Sequence, residues 1–424
     1  MKIIILKPLF QSQAFGAIIT ILILNGLYIN PNLVEYFKPI RYGLLSILII
    51  AMLNFTLILA ITNKIQKNQF IAIAAHFFIL MYGLFLSSIN GGLFLIDLKY
   101  YLYLILSLIL TLFIFQEINY VERYIKSSVY QQKNKIVKFK SKFNIDFNII
   151  LPLLFFASPF ILLLTNSLEF NGAPNIVYEN DRGSVYSQGT TTFFAVGAIV
   201  FAHLTILYRT YSYYLIFLFL VILMLLLSAL GAARGDFAVG LIVILLIFIK
   251  NFSKKKVLFS MIILSSLAIW LVFKLIPSID ELQIVRNFVY LFETGTFGMR
   301  DILLGQSIDL LKEQTVCSVI GCGFNYFQVY YDYNFGLYPH NIFAELLITF
   351  GIFLGMILII FILLGTAYGF FSFYSKNFFY WILLYYLGIS LKSGSLISIT
   401  SIPVILFFAY LGICFLKKML KNLG

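Results

Sequence analysis

The chain is poor in charged residues. Only 11% of its 424 residues are charged, against roughly 25% in an average soluble domain, so an ordinary soluble fold is excluded. The 61% hydrophobic content excludes intrinsic disorder, and three cysteines in this length exclude a disulfide scaffold. Nine prolines and 27 glycines are too few for a fibrous repeat. The apolar runs are unbroken, which favours membrane helices over the alternating strands of a β-barrel.

Twelve apolar segments, helped by flanking polar or aromatic residues, predict transmembrane helices. They cover residues 14–29, 40–61, 70–89, 98–115, 148–165, 191–208, 211–230, 236–250, 257–276, 341–370, 377–391 and 396–416. The predicted fold class is therefore all-α, a polytopic integral membrane protein with about 12 transmembrane helices. These helices are expected to form a single membrane domain over residues 1–424. The tenth run is long enough to allow tilt or an extra exposed turn.

The basic residues predict the orientation of these helices. With the N-terminus inside, 20 of the 30 Lys and Arg residues fall in inside segments, together with only three acidic residues. The inside segments then carry a charge of +17 and the outside segments −4, which places both termini in the cytoplasm. Residues 116–147 become a basic cytoplasmic loop. The net charge of +13 is explained by an anionic inner leaflet, and no nucleic-acid partner is predicted.

The one sizeable extramembrane region is the predicted outside loop at residues 277–340. It contains two patterns of amphipathic helices, at residues 281–293 and 300–313. The predicted apolar face of the second comprises Leu304, Ile308 and Leu311. Such helices are expected on or near the membrane surface, with a small cap over helix ends as the plain alternative.

The tenth apolar run is preceded by Tyr338-Pro339-His340-Asn341. Proline suits the first turn of a helix, so His340 and Asn341 are expected at a helix N-terminus on the outer face. The free backbone N–H groups there lower the pKa of a nearby histidine, and a neutral imidazole suits a general base. A capping role for Asn341 is the simpler alternative.

Four arginines are expected on the outer face. Arg234 lies in a tight turn between small residues and could pair with Asp236. Arg182 belongs to the loop before the sixth apolar run, and Arg286 and Arg300 belong to the long loop. The planar guanidinium group binds phosphate bidentately. If these arginines converge near the histidine, they are typical of a site for a lipid phosphate.

No metal site or cofactor site is predicted. The outside loops contain neither a His/Cys pair with ligand spacing nor an Asp-x-Asp pair. Cys317 and Cys322 share the outer face and could form a disulfide in an oxidising compartment, although chance proximity explains their spacing at least as well. His76 and His203 lie within apolar runs and are expected to be buried and hydrogen-bonded.

Several short motifs follow one another between residues 228 and 360. They are Arg-Gly at 234–235, Gly298-Met299-Arg300, Gly321-Cys322-Gly323, Pro339-His340-Asn341 continuing to Glu345-Leu346, and Gly351-Ile352-Phe353-Leu354-Gly355. In this order they resemble the bacterial O-antigen polymerase/ligase superfamily, and most of all the Wzy-type polymerases of oligosaccharide repeat units. The first 220 residues resemble that superfamily only in being a run of membrane helices.

The resemblance implies a GT-C-like, metal-independent glycosyltransferase without a cofactor, in the bacterial cytoplasmic (inner) membrane. It would join undecaprenyl-diphosphate-linked repeat units, as donor and acceptor, into an O-antigen or capsule polysaccharide at the outer face. Membrane lipid and a chain-length regulator are the further partners that it implies. By the same resemblance His340 is the general base, and the diphosphate-binding residues are Arg234, Arg300 and Arg286. The residues predicted to orient these groups or line the acceptor site are Asp236, Tyr338, Asn341, Glu345 and Arg182, and Glu345 is also the alternative base.

Three other functions stay open on the sequence, namely a ligase, a flippase and a structural membrane subunit. A ligase of the same superfamily would transfer the glycan to lipid A–core, and no motif separates it from a polymerase. A flippase for the lipid-linked glycan would suit twelve helices. A flippase needs ionisable residues along a central path, whereas the helix centres here are nearly uncharged.

Overall fold

A computed structural model describes residues 67–92, most of 100–118, 155–156, 177–180, 183–186, 188–207, 211–230, 234–251, 266, 299–333, 337–376 and 378–423. Several predicted segments lie outside these residues, apart from one or two positions in three of the segments. They are the helices at 14–29, 40–61, 148–165, 257–276 and 281–293, and the basic loop at 116–147.

The described residues are overwhelmingly helical. In the first half of the chain the helices are α1 (Lys67–Ile89), α2 (Tyr103–Leu112), α3 (Gln188–Leu207), α4 (Tyr211–Leu230) and α5 (Arg234–Asn251). In the second half they are α6 (Met299–Glu313), α7 (Thr315–Ile320), α8 (Tyr326–Tyr330), α9 (Ile342–Phe371), α10 (Phe378–Ser393) and α11 (Ser401–Leu423). A 3-10 turn at Phe373–Lys376 joins α9 to α10.

Three helices are long and apolar enough to cross a membrane, at Asn68–Ile89, Ile342–Phe371 and Ser401–Asn422. Large apolar side chains on two of them, such as Phe70 and Phe353, are exposed, as the lipid-facing side of a membrane helix requires. The chain is therefore a helical membrane protein. The number of twelve spans and the GT-C architecture stay predictions.

One element departs from the all-α prediction. Strands β1 (Val177–Asn180) and β2 (Gly183–Tyr186) pair antiparallel, with Val177 opposite Tyr186 and Asn180 opposite Gly183. They lie in the loop before α3, where no regular structure was predicted. Each strand contains valine and tyrosine, which favour β structure, and only two residues separate the strands. Strands of four residues are too short for the apolar periodicity on which the prediction relied.

The chain divides into two compact units. The first contains α1, α2 and α6–α11, and the second contains the hairpin and α3–α5. In the second unit α3 packs against α4 and α5 around buried residues such as Phe194, Val221 and Ile244. In the first, His76 of α1 is buried and contacts the hydroxyl groups of Thr111 (2.6 Å) and Ser107 (3.1 Å), which confirms its structural role.

Helices α9 and α11 form the main packing contact of the first unit. They approach so closely that a Cβ atom added at Gly365 would overlap the carbonyl of Phe408, and one at Gly412 would overlap the carbonyl of Phe361. Small residues at crossings let membrane helices gain van der Waals contact along their backbones. This contact holds α11 beside the helix that carries the candidate site.

Helix α9 is broken at Gly351, whose φ of 75° is left-handed. The break leaves carbonyl groups of the preceding turn without helical partners. Two of them are satisfied from the loop after α7, since the Cys322 N–H donates to Ile348 (2.9 Å) and the Gly323 N–H to Thr349 (3.1 Å). The 20 residues after the break can span about 30 Å, one membrane thickness. The long tenth run is therefore explained by a break.

Cys317 and Cys322 form a disulfide that links α7 to the loop that follows it. The bond is buried against Leu303, Leu310 and Ile348. A disulfide persists in an oxidising compartment, which agrees with the predicted outer location of this region.

The structure confirms a helix over the predicted 300–313 pattern and shows a buried stripe beside the predicted apolar face. Leu303, Ser307 and Leu310 are fully buried, whereas Leu304 is 38% exposed and Ile308 48% exposed. Apolar residues occupy two adjacent stripes of α6, so periodicity alone could not tell which stripe packs on the protein. The exposed stripe suits the predicted position near the membrane surface.

We predict that Gly351→Ala lowers the stability of the protein by about 2–4 kcal/mol. The backbone at this position would hold alanine in an unfavourable left-handed conformation. The added Cβ atom would also overlap the Val319 carbonyl. Thermal unfolding in detergent measures the loss. Gly305→Ala is the control, because nothing lies within 4 Å of that added methyl group and helical alanine is favoured by about 0.5–1 kcal/mol. Equal unfolding temperatures for the two variants would contradict a required break.

Candidate functional site

His340 lies immediately before α9. The Asn341 side-chain oxygen accepts hydrogen bonds from the N–H groups of Phe343 (2.9 Å) and Ala344 (3.1 Å), so Asn341 caps the helix. This confirms both the predicted helix N-terminus and the capping alternative for Asn341. His340 itself has a φ of 53°, a left-handed conformation that few non-glycine residues adopt. Backbone outliers of this kind cluster at functional sites.

Tyr338 supports the imidazole of His340. The two ring centroids lie 4.0 Å apart, with 33° between the ring planes. The Tyr338 hydroxyl donates a hydrogen bond to the Ser393 carbonyl (2.9 Å) at the end of α10. Tyr338 therefore orients the histidine ring and joins it to the C-terminal end of another helix.

Burial, and after it the positive charges of Arg300 and Lys392, lower the pKa of His340 to about 4. The imidazole is therefore neutral at pH 7, as the general-base hypothesis requires. The dominant cause differs from the sequence argument, which relied on the backbone N–H groups of the helix. It is desolvation of the partly buried ring, against which the Tyr338 ring packs.

Glu345 fastens the connection between α10 and α11 to α9. It is buried one turn into α9, and its carboxylate accepts hydrogen bonds from the Ser395 hydroxyl (3.1 Å) and the Leu396 N–H (2.9 Å). Both of its oxygens are engaged in this way. The contacts make Glu345 a positioning residue that holds Lys392 and Ser393 beside His340.

Lys392 is the residue that sequence reasoning missed. It was counted among the outside basic residues, without a role. The feature of the sequence that could have indicated a role is its position. Lys392 is a lone lysine next to Ser393-Gly394-Ser395, between two apolar helices at the predicted outer face. A charge at such a position is costly unless it serves a partner or a ligand.

Two polar atoms in this cluster are buried without a hydrogen-bond partner, the Nδ1 atom of His340 and the Oγ atom of Ser393. A buried polar atom of this kind costs about 1–3 kcal/mol when nothing binds it. Together with Arg300 and Lys392 they form a polar, cationic site around a neutral imidazole. Such a site can bind an anion and accept a proton from a neighbouring hydroxyl group.

Arg300 is placed by the start of α6, where it is the second residue. The burial of Leu303 and Ser307 fixes the rotation of this helix and so the direction of Arg300. The long loop and the capped helix, distant in sequence, thus meet in one cluster. The sequence had placed both on the outer face but had no means to measure their separation.

Of the other predicted site residues, Asp236 is the one whose side chain the structure describes. Asp236 belongs to the second unit, where it is buried and accepts a hydrogen bond from the Thr192 hydroxyl (3.0 Å). Arg234 is the first residue of α5, and its side chain lies outside the described residues, as do Arg182 and Arg286. The proposed roles of these arginines stay predictions.

Among the described residues no group of three His, Cys, Asp or Glu side chains could hold a metal ion. Comparisons with protein-family models, with curated proteins and with solved structures found no match for this chain. A function for the site therefore has to be argued from its geometry and from the order of its motifs.

We predict that Arg300→Met and Lys392→Met each raise the pKa of His340 from about 4 toward its ordinary value, because each removes a nearby positive charge. The rise should be larger for Arg300. NMR titration of labelled histidine suits a chain with only three histidines, and His340→Gln assigns the signal. Lys312→Met, at an exposed position, is the control. An unchanged titration in both site variants would place neither cation near the ring.

Proposed function

We propose that the chain is a glycosyltransferase that polymerises undecaprenyl-diphosphate-linked oligosaccharide repeat units at the outer face of the bacterial cytoplasmic membrane. The observation that supports this most is the neutral imidazole of His340 beside Arg300 and Lys392, at the start of a membrane helix. The motif order from residue 228 to 360 supplies the substrate class. The anion to be bound is then a diphosphate, and the proton to be accepted comes from a sugar hydroxyl.

In the proposed reaction His340 removes the proton from a hydroxyl group of the acceptor sugar. The acceptor oxygen attacks the anomeric carbon of the donor glycan and forms the new glycosidic bond. The bond from that carbon to the diphosphate breaks at the same time, and its electron pair leaves with the undecaprenyl diphosphate. One displacement of this kind inverts the anomeric configuration.

Arg300 and Lys392 offset the charge that develops on the leaving diphosphate. Fixed charges in a poorly hydrated site stabilise such a transition state well, which makes a metal ion unnecessary in this proposal. The bound diphosphate has a second effect. It offsets the cations that lower the pKa of His340, so donor binding strengthens the base at the moment it is needed. The resemblance assigns Arg234 and Arg286 to the same diphosphate.

We predict that His340→Ala reduces polymerisation by about 10²–10⁴-fold, the usual contribution of a general base. The assay uses purified protein in liposomes with the lipid-linked repeat unit, and the product length is read on a gel. Lys312→Ala, an exposed change away from the site, should polymerise normally. Near-normal chain length with His340→Ala would exclude His340 as the base.

The same assay separates the alternatives by acceptor and by product. Transfer to lipid A–core in place of the repeat unit would identify a ligase. Movement of the lipid-linked glycan across the liposome membrane without a change in glycan length would identify a flippase.

A second prediction concerns the leaving group. Arg300→Ala should reduce the rate by about 10²–10³-fold, as does the loss of one donor that stabilises a transition-state charge. Arg300→Lys keeps the charge but loses the planar fork, so it should recover part of the rate. Chelation with EDTA should leave the wild-type rate unchanged. A rate that depends on added divalent ions, or no loss with Arg300→Ala, would contradict this role.

A further inference from the structure

Four tyrosines form a continuous row on the first unit, made of Tyr326, Tyr330, Tyr331 and Tyr333. Successive ring centroids lie 6.1 Å, 4.9 Å and 5.8 Å apart. All four side chains are partly exposed, and they pack on the cluster that contains the disulfide. Phe327 is buried and contacts the rings of Tyr331 and Tyr333, so the row rests on a fixed base.

The hydroxyl groups of three tyrosines in the row are held by α6. Tyr331 donates to the Gln306 carbonyl (2.7 Å), Tyr333 bonds the Gln306 side chain, and Tyr330 donates to Glu313. The rings are therefore held in place, and their exposed parts are mainly ring surface. Because the face of an aromatic ring is negative, ring surfaces held in this way favour the weakly positive C–H faces of a ligand over its anionic groups.

Three acidic residues lie around the row, and one of them, Asp309, pairs with the exposed Lys312 (3.4 Å). Asp309, Glu313 and Asp332 are all exposed, and the first two are close enough to Tyr331 to raise the pKa of its phenol, together with burial. Carboxylates repel phosphate and an anionic lipid surface, but they accept hydrogen bonds from hydroxyl groups. Rings with weakly positive C–H faces and many hydroxyl groups fit this surface, and a pyranose sugar has both.

Two short stretches of the chain connect the row to the His340 site, so the two lie close together. Leu337 packs against the same cluster as the row, and His340 follows three residues later, at most about 11 Å along an extended chain. Gln306, which holds two of the tyrosines, is six residues from Arg300 on α6, a rise of about 9 Å. A glycan with its reacting end at His340 would need only a few sugar residues to reach the row.

We propose that the tyrosine row is a binding platform for the glycan, on which sugar rings next to the reacting unit stack. That the glycan is the polymerising chain rests on the proposed function. The platform would hold the product end between successive additions, and so set how many repeat units are added before release.

The test compares two variants of one position. Tyr330→Leu keeps apolar cover over the cluster but removes the aromatic face, and Tyr330→Phe keeps the ring. The probe is a lipid-free oligosaccharide of several repeat units, cut from the surface polysaccharide of the source cell. Binding to purified protein in nanodiscs should weaken about fivefold in Tyr330→Leu and less in Tyr330→Phe. Val316→Ala, at an exposed position outside the row, should bind as wild type. Equal affinity of Tyr330→Leu and wild type would overturn the platform.

Polymerisation separates the platform from the proposed function. If both hold, Tyr330→Leu makes shorter chains, and His340→Ala binds the oligosaccharide but makes none. A protein that binds the oligosaccharide through Tyr330 but never polymerises would keep the platform and reject the polymerase. A protein that polymerises, with chain length and binding unaffected by Tyr330→Leu, would reject the platform alone.

A fluorotyrosine placed at position 330 tests whether the row contacts lipid headgroups instead of the glycan. A platform predicts a change of its NMR signal on addition of the oligosaccharide and little effect of spin-labelled lipid headgroups in the nanodisc. Strong broadening by the spin-labelled headgroups, without a response to the oligosaccharide, would make the row a membrane-interface belt and overturn the proposal.

Discussion

The break of α9 at Gly351 is the constraint on which the first unit depends. A continuous helix would satisfy its own carbonyls and leave the loop around Cys322 without partners. The break exposes the carbonyls of Ile348 and Thr349, and the loop binds them. The loop in turn anchors α6, which carries Arg300, and α8, which carries the first two tyrosines of the row, while His340 immediately precedes the short helix before the break. One left-handed glycine thus brings two distant parts of the sequence together.

Electrostatics then determines what the assembled cluster can do. The positive charges of Arg300 and Lys392 both act on the imidazole of His340 and disfavour its protonation. The contacts of Glu345 and Tyr338 with residues 393–396 hold the end of α10, and with it Lys392, in place. An anion bound near these cations would gain from their positive charge. A site of this design favours a ligand with at least two negative charges, which a diphosphate supplies and a single carboxylate does not.

The helices were largely predictable because their apolar runs and capping residues are local signals. The predicted run 211–230 coincides with α4, and the cap at Asn341 follows from its tripeptide. The buried stripe of α6 and the role of Lys392 were not predictable, since both depend on which surface a distant segment contacts. The pKa of His340 was predicted in direction and not in cause, because desolvation depends on the residues packed around the ring.

Different surfaces of the first unit suit the three chemical parts of a lipid-linked glycan. The exposed apolar sides of α1 and α9 suit the hydrocarbon of a lipid, and the cations at His340 suit a diphosphate. The acidic tyrosine row suits neutral sugars and repels phosphate. A flippase would have to release each of these parts as the substrate crosses the membrane, so tight binding of each part to its own surface would slow transport. An enzyme that holds its substrate at one face gains from such matching, because fixed contacts on either side of the scissile bond orient that bond for attack.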